Sequence, residues 1–293
     1  MTFRLTRRSF AIGLGTALAS TGLSRGARAA QDDFAATCAA LERRLDARVG
    51  VAIHDTASGR RWTHRADERF PLCSTFKVLA AAALLAKIDA GHDRLDRRVV
   101  LAATDLVTYS PVTQDRVGGN GITLAELCAA AITRSDNTAG NAILQAIGGP
   151  EAVTAFARRI GDSVTRLDRW ETDLNEAAPG DPRDTTAPAA IAAGLEALVL
   201  GNTLSPASRD QLVAWMVANT TGAAKIRAGL PPDWRIGDKT GGGNHGAMGD
   251  IAAIWPPGRK PVFAAIYLTE TAASFDARNA EIAEIARALK AAL

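Results

Sequence analysis

The most constraining stretch of this chain is Val78 to Ile88, read together with the residues just ahead of it, Cys73-Ser74-Thr75-Phe76-Lys77. Val78, Leu79, Ala80 to Ala83, Leu84, Leu85, Ala86 and Ile88 are broken only by Lys87, with Asp89 closing the run. This pattern predicts a helix over 74–89 with almost no polar face, and such a helix belongs inside a protein. It is too short and too flanked by charge to cross a bilayer. Residues three apart are neighbours on a helix, so the first turn would hold the Ser74 hydroxyl beside the Lys77 amine. A buried lysine is costly unless it has a partner or a task. We therefore read Ser74 as a nucleophile and Lys77 as a group that helps to deprotonate it.

The first 29 residues read as a leader outside the fold. Thr6-Arg7-Arg8-Ser9-Phe10 is a twin-arginine pattern, an apolar segment runs from Ala11 to Leu23, and Ala27-Arg28-Ala29 is a small-x-small cleavage signal placing the cut before Ala30. The expectation is export through the twin-arginine route to a bacterial periplasm, with no membrane anchor in the mature form. Taking away the five arginines of this segment leaves 29 basic against 31 acidic side chains, a net charge of −2. No basic run or patch points to nucleic acid. Cys38, Cys73 and Cys128 are too few and too odd in number for a disulfide framework. His54, His64, His92 and His245 are scattered, so no metal site and no cofactor are expected. The chain carries only six lysines against 28 arginines. A surviving lysine marks a place where arginine fails, such as a group that must give up a proton; Lys77 and Lys239 are two of the six.

Periodicity sets the architecture. Gln31 to Asp46 reads as an amphipathic helix, Arg48 to His54 and Arg60 to His64 as strands around a Thr56–Gly59 turn. Helices follow: 74–89, Leu124 to Thr133 behind a Thr123/Glu126 capping box, a segment resuming after Ser135-Asp136-Asn137 to Ile147, one from Pro150 to Gly161, then 189–200 and 206–219. Between them, 169–188 is a long polar loop of the kind that tends to be functional. Strands return at 235–240, 247–255 and 261–269, and a helix over 276–293 closes the chain. The fold class is mixed α/β in the α+β sense: an antiparallel sheet flanked by the N- and C-terminal helices, with an all-helical domain inserted between its second and third strands. The expected division is 30–67 with 220–293 as the α/β domain and 68–219 as the helical one, with the site between them.

Ser74-x-x-Lys77 is followed by Ser135-Asp136-Asn137, Glu171-Thr172-Asp173-Leu174-Asn175 and Lys239-Thr240-Gly241, in that order. This set resembles the class A serine β-lactamases over essentially the whole chain after the leader. The resemblance implies a monomer hydrolysing small-molecule β-lactams, penicillins and cephalosporins, through an acyl-serine. It gives Ser135 the proton for the leaving lactam nitrogen, although Ser before Asp-Asn also suits a helix cap. It puts the backbone N–H groups of Ser74 and Gly242 in the oxyanion hole and assigns Glu171 and Asn175 to the deacylating water. Lys239 and Thr240 would bind the substrate carboxylate, with Gly241 beside them in the substrate-binding segment, Asn137 would bind the acylamide side chain, and Tyr109 would form an aromatic wall. Arg169 and Asp184 would close the neck of the long loop with a salt bridge. In the family a cis peptide commonly follows the glutamate; here that bond precedes Thr172. Either Lys77 or Glu171, through a water, can take the serine proton.

The chain departs from the family in two places. Many members carry an arginine where Met248 stands, to help bind the carboxylate; Lys225 is our candidate to replace it. Cysteine pairs of some members are also broken here, since Gly243 faces Cys73 in the motif and Ala81 stands opposite Cys128, so no disulfide is expected. Two alternatives share part of the motif set: a D,D-peptidase, which normally lacks the Glu171/Asn175 loop, and a penicillin sensor that stays acylated. Both imply a long-lived acyl-protein.

Overall fold

A computed structural model describes residues 25–293. The twin arginines and the apolar leader segment lie outside the described residues. Helix α1 (Arg25–Leu45) leads into strands β1 (Arg48–Asp55), β2 (Arg61–His64) and the two-residue β3 (Phe70–Pro71). Helix α2 (Phe76–Asp89) follows, then short β4 (Arg98–Val99) and β5 (Ile122–Thr123), and helices α3 (Leu124–Thr133), α4 (Asn137–Ile147) and α5 (Pro150–Arg159). After β6 (Thr185–Thr186) come α6 (Pro188–Leu200), α7 (Pro206–Val217) and the single turn α8 (Ile226–Gly229). Strands β7 (Arg235–Gly242), β8 (Met248–Trp255) and β9 (Val262–Thr269) and helix α9 (Phe275–Ala292) complete the chain. The first helix starts at Arg25, upstream of the Gln31 expected from periodicity, and so runs through the expected cleavage motif.

Five strands form one antiparallel sheet in the order β2-β1-β9-β8-β7. Alternate side chains leave a strand on opposite faces, and that alternation splits the apolar interior into two cores. Val51, Ile53, Ile254, Ala264, Ile266 and Leu268 pack against Phe34, Cys38, Leu41, Ile282, Ile285 and Leu289 of the terminal helices. Ala52, Ile251, Ala253, Phe263, Ala265 and Tyr267 face the helical body and α6. The first and last segments of the chain thus share one face, as expected for a sheet that is interrupted and then resumed.

Helix α2 is the axis of the helical body. Every residue from Phe76 to Leu85 is buried, and its surround is α3, α4, α5 and α7. Each fully buried leucine contributes about 1.5–3 kcal/mol relative to an exposed one. The capping box forms at the start of α3: Glu126 N donates to Thr123 Oγ1 at 3.2 Å and Thr123 N to Glu126 Oε2 at 2.8 Å. One expectation shifts. The α-helix begins at Phe76, and Cys73–Thr75 form a 3₁₀ turn ahead of it. Cys73 has φ +43°, a backbone state that no hydrophobic pattern encodes.

Candidate active site

The 3₁₀ turn brings Ser74 to the mouth of α2 while keeping Lys77 inside the helix. Its first bond runs from Thr75 N to Leu72 O at 3.1 Å, which leaves the Ser74 N–H ahead of the first bonded donor. Lys77 is completely buried. Its Nζ lies 3.0 Å from Ser74 Oγ, 2.9 Å from the Ser135 carbonyl, 2.7 Å from Asn137 Oδ1 and 2.9 Å from Glu171 Oε1. An ammonium has three protons for these four neighbours, so one contact is always short of a hydrogen. Burial drives the Lys77 pKa below its ordinary value, and Glu171 opposes that shift.

Glu171 completes the other side of the hydroxyl. Ser74 Oγ donates toward Glu171 Oε1 at 3.4 Å, and Asn175 Nδ2 donates to Glu171 Oε2 at 2.5 Å. Asn175 Oδ1 is buried with no partner among the described residues. The Glu171–Thr172 peptide is cis. The long loop is tied down at its neck: Arg169 Nε donates to Asp184 Oδ2 at 2.5 Å, and Asp184 Oδ1 accepts from the backbone of Asp168 and Arg169 at 2.7 and 2.9 Å. Arg169 also pairs with Glu176.

Ser135 does not cap α4. Asp136 does, with Oδ1 accepting from Ala139 N at 2.8 Å. The same carboxylate takes the N–H groups of Val112 and Thr113, both at 2.9 Å, and so holds the Tyr109 loop against the helix. Freed from capping, Ser135 sits at φ +57° with Oγ accepting from Lys239 Nζ at 2.9 Å. Lys239 is completely buried and also donates to the Thr240 carbonyl at 2.7 Å. Burial, then the charge of Lys77, hold its pKa well below the lysine range.

Strand β7 is the edge of the sheet beside this group. A Cβ on Gly241 would lie 2.9 Å from Leu72 O and 3.2 Å from Cys73 Cβ, so glycine is what lets the strand touch the Ser74 turn. Gly243 N is bonded to Ala247 O at 3.0 Å. Successive N–H groups of a strand point to opposite edges, which turns the Gly242 N–H to the free edge of the sheet. At Gly242 a Cβ would meet nothing nearer than 4.0 Å, whereas at Gly243 it would lie 2.7 Å from Asn175 O. The Thr240 hydroxyl meets that of Thr221 at 2.6 Å.

The remaining sequence candidates are more peripheral. Tyr109 is 58% exposed, and its carbonyl accepts from Asn137 N at 3.0 Å. Asn137 Nδ2 spends one hydrogen on Thr108 O at 2.9 Å and keeps the other. Lys225 is buried, with Nζ 5.0 Å from the Phe275 ring centre. Met248 is buried in the sheet. Sequence reasoning missed Asn141, whose side chain bonds both backbone groups of Glu171: Nδ2 to the carbonyl and Oδ1 from the N–H, each at 2.9 Å. Its signal was the four-residue spacing from Asn137, one helical turn. It also missed Gly140, where a Cβ would lie 2.8 Å from Lys77 Cε.

Comparison with known proteins agrees with this geometry. The Beta-lactamase enzyme family matches residues 33–293. Beta-lactamase AST-1 of Nocardia asteroides is 54% identical over 255 residues, 87% of this chain and 82% of that one. Beta-lactamase CTX-M-8 of Citrobacter amalonaticus is 49% identical over 256 residues, 87% and 88% of the two chains. Among solved structures, an ancestral class A β-lactamase superposes with a TM-score of 0.87 at 62% identity, covering 89% of this chain and all of that one. A putative class A enzyme from Rhodopseudomonas palustris gives 0.88 at 55% identity, with 89% and 100% coverage. The chain belongs to the β-lactamase enzyme family, in its class A.

Proposed function

We propose that this chain opens penicillins and cephalosporins through an ester on Ser74 and that the residues around Ser74 divide the steps among them. Hydrolysis of β-lactams, and the antibiotic resistance it confers, comes with the family. Ser74 Oγ attacks the lactam carbonyl while its proton passes into the Lys77–Glu171 pair, which contacts the hydroxyl from both sides. The oxyanion is taken by the N–H groups of Ser74 and Gly242. Because Ser135 Oγ accepts from Lys239, its own hydrogen is free for the leaving nitrogen as the C–N bond breaks. Lys239, Thr240 and Gly241 receive the substrate carboxylate, with Lys225 in place of the arginine missing at Met248. The spare amide hydrogen of Asn137 takes the acylamide carbonyl, and Tyr109 walls the cleft.

The observation that carries the reading is the second half of the site. A serine and lysine alone would form an acyl-protein and stop. Here Glu171 lies within reach of Ser74 Oγ, and Asn175 offers a buried, unpartnered Oδ1 beside it. Such an oxygen wants a donor, and a water held there stands against the carboxylate that would deprotonate it for attack on the ester. The Arg169–Asp184 bridge keeps this loop closed over Ser74. We further divide the chain into an α/β domain (30–67 and 220–293) and a helical domain (68–219) with the cleft between them, and assign a monomer exported by the twin-arginine leader to the periplasm. No helix among the described residues is long and apolar enough to cross a membrane.

Purified protein mixed with a chromogenic cephalosporin tests the assignment, with and without a chelator. Many turnovers, unaffected by the chelator, are expected. Glu171→Gln should accumulate a covalent adduct on Ser74, seen as a mass increase; normal deacylation by that variant would remove Glu171 from its role.

A further inference from the structure

Behind the Ser74 turn stands a tyrosine that the chemistry has not used. Tyr267 lies on β9 and is fully buried. Its cross-strand partners on both sides are glycines, Gly50 on β1 and Gly249 on β8. A Cβ on Gly249 would lie 2.6 Å from the Tyr267 ring, so the missing side chain is what lets the phenol lie across β8. Phe70 fills the space over Gly50, its ring centre 6.2 Å from that of Tyr267. Laid across the sheet, the ring carries its hydroxyl to Thr75, the last residue of the 3₁₀ turn, where the two oxygens are 2.8 Å apart. The direction of that bond follows from Thr75. Its hydroxyl donates to the Leu72 carbonyl at 2.7 Å, and a carbonyl can only accept. Thr75 has no second hydrogen, so Tyr267 is the donor. Burial pushes the phenol pKa up, so the hydroxyl keeps its hydrogen.

The Leu72 carbonyl also accepts the Thr75 N–H at 3.1 Å, the bond that closes the turn around Ser74. Both of its lone pairs thus serve one residue, and the tyrosine fixes the hydroxyl of that residue. The turn needs such a hold, because Cys73 sits at φ +43°, a state disfavoured for residues with a Cβ. We propose that Tyr267 is a positioning residue for acyl transfer: through Thr75 it fixes the turn that sets Ser74 Oγ and the Ser74 N–H. This rests on the reading of Ser74 as the nucleophile and of its N–H as an oxyanion donor. Without the phenol hydrogen, Thr75 is held by the Leu72 carbonyl alone. That bond weakens too, because hydrogen bonds in a chain polarise one another.

Tyr267→Phe removes one oxygen and keeps the ring. Pre-steady-state kinetics with a chromogenic cephalosporin should show acylation and deacylation both slowed by roughly fivefold to twentyfold, less than the hundredfold of a full ångström of misplacement. Both steps respond because the Ser74 N–H faces the oxyanion in each, and the dissociation constant of the first, non-covalent complex should not move. In a Thr75→Val background the same change should add no further loss, since the hydroxyl it acts through is gone. Infrared spectra of the acyl-enzyme trapped in a Glu171→Gln background give an independent reading. There Tyr267→Phe should move the ester carbonyl band to higher wavenumber, as the hydrogen bond to that oxygen weakens. Unchanged rates, an unshifted band, or a loss that multiplies with that of Thr75→Val overturns the role of Tyr267; a lowered Tm with rates and band unchanged does the same. A β-lactam adduct mapped to a residue other than Ser74 overturns the reading of the nucleophile instead.

Discussion

Glu281 is a buried acid that the chemistry does not use, and it makes the stability of the protein pH-dependent in a calculable way. It lies on α9 against α1, fully buried, and neither carboxylate oxygen has a hydrogen-bond partner among the described residues. Burial raises its pKa from 4.5 to about 7; Arg44 on α1 opposes the shift, while Glu284 on α9 and Glu42 on α1 reinforce it. The folded state therefore binds the proton more tightly than the unfolded chain. Below pH 4.5 both states hold it and nothing is lost. As the pH rises toward 7 the unfolded chain ionises first, and stability falls. Above about 7 the loss is complete, about 3 kcal/mol at roughly 1.4 kcal/mol per pKa unit. For a domain of this size, that corresponds to a Tm difference of roughly 6–12 °C. Glu281→Gln removes the titration and retains a polar side chain of the same shape. Thermal melts of both proteins at pH 5 and pH 8 should show the wild type losing more Tm across this interval than the variant, by about three-quarters of that amount, because the unfolded chain is already partly ionised at pH 5. Equal losses in the two proteins would refute the reasoning, because the carboxylate would then have found a partner or water in the folded state.

Two further substitutions test how the catalytic groups are held. Asn141→Ala leaves the N–H and the carbonyl of Glu171 without their partner, at a cost of about 1–3 kcal/mol for each buried group left unpaired; the acyl-enzyme should accumulate during turnover while acylation, read from the burst phase, changes less. Gly140→Ala puts a methyl 2.8 Å from Lys77 Cε, and since the lysine is packed on all sides it must shift away from Ser74; acylation should slow by roughly tenfold to a hundredfold, the price of a misplaced reacting group, with rapid-quench kinetics as the check.

The sequence made some levels of this structure plain and hid others for physical reasons. The burial of α2 was readable because every position from Val78 to Leu85 is apolar, and the Thr123/Glu126 box announced α3 because capping is local. Alternation marked the strand at 48–54, Gly-rich and Pro-Pro turns bounded those at 235–240, 247–255 and 261–269, and the return of strands after the helices gave the inserted topology. What stayed hidden depends on approach between distant segments. Gly241 against Leu72 O, Gly140 against Lys77 and Asn141 across the Glu171 peptide are tertiary contacts, and a glycine or asparagine on a helix looks the same with or without them. Asp136 was visible only as the middle of a motif; its four hydrogen bonds make it the clamp between α4 and the Tyr109 loop. The turn at Cys73 was hidden because cysteine gives no sign of a positive φ.

The pair of buried lysines makes substrate binding and proton placement one problem. Lys77 and Lys239 both touch Ser135, one through its carbonyl and the other through its hydroxyl. Glu171 contacts Lys77, whereas Lys239 forms no ion pair among the described residues and feels Asp238, Glu171 and Asp250 only at longer range. In the free enzyme Lys239 is therefore the lysine poorer in negative charge, its pKa held well below the usual lysine range by burial and by Lys77. On the proposed assignment, a substrate carboxylate arriving at Lys239 and Thr240 supplies the missing charge and raises the proton affinity of Lys239, because an opposite charge favours the ionised form. Binding loses strength as pH rises through the free-enzyme pKa, while the complex stays protonated to higher pH. The alkaline limb of kcat/KM, which reports the free enzyme, should lie below that of kcat, which reports the complex. The two limbs should draw together for a substrate esterified at its carboxylate. Coincident limbs for the free acid would mean that Lys239 keeps its proton without the substrate, and that the carboxylate is bound by a charge already in place.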